Sequence, residues 1–110
     1  MNAVKRLIED PQAVLLYESQ RLAIVSVLAA APSLTFTELR DTLEMTDGNL
    51  SVHLQKLEKA GIVAIDKQFV GRRPQTTCRL TPAGRAAFTR YLDHLEEIVR
   101  QHRTTPRTGA

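Results

Sequence analysis

Few residues of this 110-residue chain have the types and spacing to do chemistry, and the sets point in different directions. His53 and the lone cysteine, Cys78, are nominal members of a nucleophile–base pair. Asp93, His94, Glu97 and His102 follow one another closely near the C-terminus and are ligand types for a metal ion. Asn49 and Gln55 carry amides that can pair with the edge of adenine, and Val52 can touch a thymine methyl. Adjacent Arg72 and Arg73 suit a phosphate backbone or a minor groove.

The enzymatic pair has little behind it. Cys78 lies in the β-branched stretch "TTCRLT", where one small apolar residue is usually core. The sequence has no glycine-rich phosphate loop, nucleophile elbow or carboxylate pair, so no catalytic residues are assigned. A single cysteine excludes an internal disulfide and a cysteine-rich metal site. A redox role for Cys78 would need a second copy of the chain. Four polar residues between 93 and 102 on a helix face are usually solvated, and neither a metal nor another cofactor is expected.

Charge placement favours the third set. Residues 1–65 carry six Lys/Arg against eight Asp/Glu, whereas residues 66–90 carry six against Asp66 alone. A basic segment of that kind faces a polyanion, or else forms a well-solvated surface. "MNAVKRLIEDPQ" lacks the pattern of a signal peptide, and the apolar run Leu22–Ala31 is too short to span a bilayer. A cytoplasmic protein without a membrane partner is the expectation.

The elements that must position these residues follow from apolar spacing and punctuation. Residues 2–9 form a helical turn closed by Pro11, and residues 13–31 read as one long helix stopped by Pro32. Apolar residues wrap most of that helix, so a second subunit is expected to cover part of it. A brief extended piece precedes a helix capped by Thr37, with Leu39 and Leu43 inward. "TDGNLSVHLQKLEKAGIV" then poses a conflict, because Asp-Gly is a hairpin signal while Leu50, Leu54 and Leu57 have helical spacing. The helix is the better reading: Thr46 caps it, Asp47 sits in the first turn, and Gly61 closes it. "IVAIDKQFV" and "TTCRLT" are strands of a hairpin whose turn is "GRRPQ", stiffened by Pro74. Thr81 and Pro82 open a last helix to about His102, with Phe88, Tyr91, Leu92, Leu95, Ile98 and Val99 on one stripe.

The fold class is therefore mainly α with a small β-hairpin: a winged helix-turn-helix with an additional long C-terminal helix. One domain spans residues 1–103, and residues 104–110 form a disordered tail. Opposite its leucines, the 47–59 helix presents Gly48, Val52, Gln55 and Lys59, flanked by Asn49, Ser51 and Lys56. Small polar residues near the start and longer basic ones later suit a helix that enters a major groove end-first. Alone, such a helix is more often a solvated surface. A basic hairpin tip close behind it tips the balance.

These residues resemble the stand-alone winged-helix transcriptional regulators of the MarR and ArsR types. The likeness rests on "FTELRDTLEMTDGNLSVHLQKLEKAGIV", "VGRRPQ" and "LTPAGR", together with "QRLAIVSVL". It implies a homodimer that binds double-stranded DNA sequence-specifically, as a regulator and most simply a repressor, on a pseudo-palindromic operator. Carried over by position, Gly48, Asn49, Ser51, Val52, Gln55 and Lys56 belong to the recognition helix, and His53 contacts the backbone. Arg72, Arg73, Pro74 and Gln75 form the wing. The terminal helices make the dimer interface, with Leu15, Leu16, Phe88, Tyr91, Leu92, Leu95, Ile98 and Val99. The Cys-x-Cys of ArsR-type metal sensors is missing from "ELRDTLEM". Any small-molecule effector would have to bind between helices at the dimer interface. The alternative is a winged-helix module that binds another protein, which the same fold permits.

Overall fold

Leucines spaced along separate helices meet a short sheet in this chain, and that meeting sets the architecture. A computed structural model describes residues 2–104. Their order is α1 (Asn2–Glu9), α2 (Pro11–Leu16), α3 (Ser19–Ala29), β1 (Leu34–Thr35), α4 (Phe36–Leu43), α5 (Asp47–Lys59), β2 (Val63–Val70), β3 (Arg73–Leu80) and α6 (Pro82–Thr104). Leu16, Ile24, Leu28, Leu39, Leu50 and Leu57 are fully buried together with Ile62 and Cys78 from the sheet side. The sheet is antiparallel in the order β1-β3-β2. The fold is a winged helix with a long C-terminal helix, mostly helical, as the sequence implied.

The expected helix over residues 13–31 is two helices. The chain breaks at Tyr17–Glu18, and the Glu18 carboxylate caps α3 by accepting the Gln20 and Arg21 N–H groups at 3.0 and 3.1 Å. Nor does α3 need a second subunit for cover, because its apolar residues are buried or half-buried within this chain. A second correction concerns α4. Its N-cap is Thr35, not Thr37; the Thr35 hydroxyl accepts the Glu38 N–H at 3.0 Å and Glu38 returns to the Thr35 N–H at 2.9 Å. That reciprocal pair is a capping box.

The hairpin turn is also tighter than "GRRPQ". Val70 pairs with Arg73, leaving only Gly71 and Arg72 to turn. Gly71 has φ +66° while Arg72 keeps a negative φ, the signs of a type II′ turn with glycine first. Pro74 therefore lies in β3, opposite Phe69.

α6 outruns the core. Its 23 residues extend about 34 Å at 1.5 Å per residue. The Cα radius of gyration is 16.8 Å; a compact chain of this length would have about 13 Å. α1 and α2 lie along this helix. Ile8 is 75% exposed and Tyr17 68%, while Val4, Val14, Leu92 and Val99 are also open. Apart from Val52 on α5 and Phe69 and Val70 on β2, the open large apolar residues thus sit on or beside α1, α2 and α6, and among the described residues none is on α3. No helix among the described residues is long and apolar enough to cross a membrane. The expected tail lies outside the described residues except for Thr104, which ends α6.

Candidate nucleic-acid interface

Three leucines pin α5 to the core, and what they leave outward is the candidate site. Leu50, Leu54 and Leu57 are buried. Thr46 caps the helix, its hydroxyl accepting the Asn49 N–H at 3.2 Å, and Asp47 occupies the first turn. Arg40 of α4 donates to Asp47 at 2.9 Å and to Asp41 at 3.0 Å, so the two helices of the helix-turn-helix are tied at their junction. Between them Glu44 adopts a left-handed conformation, φ 52°. With α5 so held, Gly48, Asn49, Val52, Gln55, Lys56 and Lys59 are exposed and Ser51 is half-buried. A Cβ built on Gly48 would meet nothing within 4 Å, so the glycine leaves open space outside the chain rather than accommodating a neighbour within it.

His53 is not part of that outward face. Its Nε2 lies 2.8 Å from Gln20 Oε1, and its Nδ1 lies 3.5 Å from an Arg21 guanidinium nitrogen and 3.6 Å from Glu18 Oε2. Arg21 also donates to the Leu15 carbonyl at 2.6 Å. The imidazole is used up inside the chain, where it fastens α5 to the α2–α3 junction. Hydrogen bonding from the Gln20 N–H, opposed by burial and aided by the Arg21 N–H, holds the Glu18 carboxyl below its usual range.

The hairpin projects beyond the core from the Ile65↔Cys78 pair to its tip. Strand alternation places Ile65, Lys67 and Phe69 on one face with Cys78, Thr76 and Pro74. Gln68 and Val70 lie on the other with Gln75 and Arg73. The four residues expected to act together as the wing are therefore divided: Arg72 is at the turn, Pro74 on the α5 side, and Arg73 and Gln75 on the far side. Arg79 lies 3.7 Å from Asp66 on that far face.

Reading by composition missed Lys67 and Thr76. With Ser51, Gln55, Glu58 and Phe36 they line an open groove of about 620 Å³ between α5 and the hairpin. Period-2 alternation outward from Val63 and Ile65 puts Lys67 on this face, a signal present in the sequence once the strand is recognised.

The other candidates are differently placed. Cys78 is fully buried, and burial pushes its thiol up to about 11, so it stays protonated and is no nucleophile near neutral pH. His94 is buried on the side of α6 that faces Arg6, Glu9 and Asp10, while Asp93 and His102 are exposed and Glu97 pairs with Arg100 at 2.6 Å. Those four residues do not converge. Among the described residues no three His, Cys, Asp or Glu side chains come together as a metal set. Of the expected dimer contacts, Leu16 and Tyr91 are buried in this chain's own core and have no surface to offer. Leu15, Phe88, Leu95 and Ile98 are half-buried, and Leu92 and Val99 are exposed.

Comparison with known proteins bears on the family and the fold. Residues 20–99 match the family described as "Winged helix DNA-binding domain". The chain is 38% identical over 78 residues to the uncharacterized protein MJ0432 of Methanocaldococcus jannaschii, covering 71% of this chain and 85% of that one. The structure of a transcriptional regulator homologue from Pyrococcus horikoshii superposes with a TM-score of 0.81 at 27% identity, covering 91% and 96%. A MarR-family transcriptional regulator from Silicibacter pomeroyi shares the fold with a TM-score of 0.60 at 22% identity, covering 96% and 75%.

Proposed function

We propose, for a chain that belongs to the winged helix DNA-binding domain family, that two copies form a transcriptional regulator that grips a pseudo-palindromic operator and acts there as a repressor. One observation carries this reading. α5, anchored by its leucines, turns Asn49, Val52 and Gln55 outward, and Gln55 shares a groove with Lys67 of the hairpin, whose turn carries Arg72. α5 enters the major groove, where Asn49 and Gln55 read base edges and Val52 meets a thymine methyl. Lys56 and Lys59 lie nearer the C-terminal end and contact phosphates, as do the wing cations. The protein works by binding rather than by catalysis, in the compartment that holds the DNA.

The second copy joins through the apolar surface of α1, α2 and α6. Val4 and Ile8 make one stripe and Phe88, Leu92, Leu95 and Val99 another, at helical spacing. A small-molecule effector would act between these helices.

Titration with duplex DNA tests the reading. Arg72→Ala with Arg73→Ala should weaken binding to all sequences and flatten the salt dependence by roughly 0.9 per lost phosphate contact. Asn49→Ala or Gln55→Ala should relax base preference, each at about 1–3 kcal/mol of discrimination. Binding indifferent to all four changes would refute the assignment and favour a protein-binding module.

A further inference from the structure

We propose that the hairpin ends in an apolar wedge, Phe69 backed by Pro74, which enters the minor groove beside the major groove read by α5 and prises open one base step. The inference rests on the DNA-binding reading above and adds the apolar contact that the wing makes and the kind of base step at which it is made.

Phe69 is 73% exposed, close to the tip of a hairpin in which Val70 is 58% exposed. An open aromatic residue on a projecting strand is an aggregation hazard unless something covers it. Its setting indicates the cover. From Lys67 to Leu80 the chain has four cations and no acid. The partner must therefore combine negative charge with a slot for a flat apolar group, as the rim and base stack of a duplex do.

Register makes the wedge stiff. Across a two-residue turn the Val70↔Arg73 pair is the hydrogen-bonded one, so Phe69↔Pro74 is a non-hydrogen-bonded pair with side chains close together. Pro74 then turns its nitrogen away from β2, toward the β1 side of β3 but beyond the end of β1, which pairs only with Thr77 and Cys78. Proline costs no ladder bond there. It supports the ring of Phe69 with a rigid neighbour.

Distance places the wedge. At about 3.4 Å per residue, Lys67 lies roughly 7 Å and Phe69 roughly 14 Å beyond Ile65, which lines the groove beside α5. Neighbouring grooves of B-DNA are offset by about half a turn, ~17 Å along the axis. With α5 in the major groove, Lys67 meets the intervening phosphate ridge and Phe69 reaches the minor groove. Apolar side chains inserted there unstack a step and kink the duplex. Pyrimidine–purine steps open most cheaply. The operator should therefore prefer TA or CA about five base pairs from the centre of each α5 contact.

Duplexes carrying 2-aminopurine at that step, bound to the full chain, provide the test. Wild-type binding should raise the emission as the base unstacks. Phe69→Ala should abolish the rise and weaken binding about ten- to fifty-fold, the loss expected from uncovering one aromatic side chain. The slope of affinity against salt should not change, because no charge is removed. Phe69→Leu, still an apolar wedge, should recover most of both signals. Phe69 is exposed, so equal thermal melts should show that the variants fold. If Phe69→Ala keeps wild-type affinity and emission while Arg72→Ala with Arg73→Ala weakens binding, the wedge is refuted and DNA binding stands. No wild-type binding to any duplex at low salt would overturn both.

Discussion

Gly84→Ala should lower the stability of this protein although helix propensity predicts the opposite. Gly84 lies in the first turn of α6, where alanine for glycine would ordinarily stabilise by up to about 1 kcal/mol. A Cβ built at Gly84, however, falls 2.8 Å from the Ile62 carbonyl carbon, 2.9 Å from the Ile62 Cα and closer still to the carbonyl oxygen. Carbon–carbon contacts are comfortable only at about 3.5–4.0 Å, and the obstacle is backbone that cannot rotate away. The retreat would also disturb the α6 cap. The Thr81 hydroxyl accepts the Gly84 N–H at 2.8 Å and donates to the Gly61 carbonyl at 2.5 Å, while the Thr81 N–H donates to Ile62 O at 3.1 Å. Overpacking of about 1–3 kcal/mol and a weakened cap of about 1 kcal/mol, less a propensity gain of about 1 kcal/mol, leave a net loss of roughly 1–3 kcal/mol. At about 4–8 °C per kcal/mol for a domain of this size, Tm should fall by roughly 5–25 °C. Thermal melts followed by circular dichroism measure it directly. A variant melting at or above the wild-type temperature would refute the close approach between α6 and the base of the wing.

Gly48→Ala should behave in the opposite way: with open space around it, alanine should raise stability by a few tenths to about 1 kcal/mol, yet weaken duplex binding. Melts and titrations of the same variant separate the two effects. Glu18→Gln should destabilise at neutral pH. The carboxyl's folded pKa lies below its ordinary 4.5, so its contribution is present above that value and is lost as pH falls through the folded one. The gap between wild-type and Glu18→Gln melting temperatures should therefore close on acidification below about 4.5; a gap independent of pH would count against a charged cap. Cys78, buried with its thiol pushed up to about 11, should resist alkylation in the native protein at pH ~8 and react promptly once unfolded. Rapid labelling of the native state would contradict its placement in the core.

Local chemistry makes much of this fold legible in the sequence itself. Thr46 as cap, Asp47 in the first turn, Gly61 at φ +77° and the Thr81–Pro82 opening of α6 all follow from residue types acting on their immediate neighbours. Thr35 was equally readable, since Thr35 and Glu38 have capping-box spacing, but Thr37 competed for the same role. The break at Tyr17–Glu18 was not legible. Glutamate is an uncommon N-cap, and this one is held beside His53 and Arg21, with the histidine 35 positions further along the chain. The same long-range contact explains why His53 left the outward set. Stripes alone also could not divide α6: Tyr91 and Leu92 are adjacent, yet one faces the core and the other is exposed. The motif "LTPAGR" announced a glycine without its reason, which is the Ile62 backbone pressed against it.

Selection of bound sequences from a random pool of double-stranded DNA shows whether a symmetric pair of α5 helices reads a duplex. Two such helices should enrich a pseudo-palindrome whose half-site centres lie about 10–10.5 base pairs, or a multiple of that, apart. Enrichment should disappear with Asn49→Ala plus Gln55→Ala, while residual salt-dependent binding persists. A pool that yields no enriched sequence, or a single asymmetric site, would contradict such a pair.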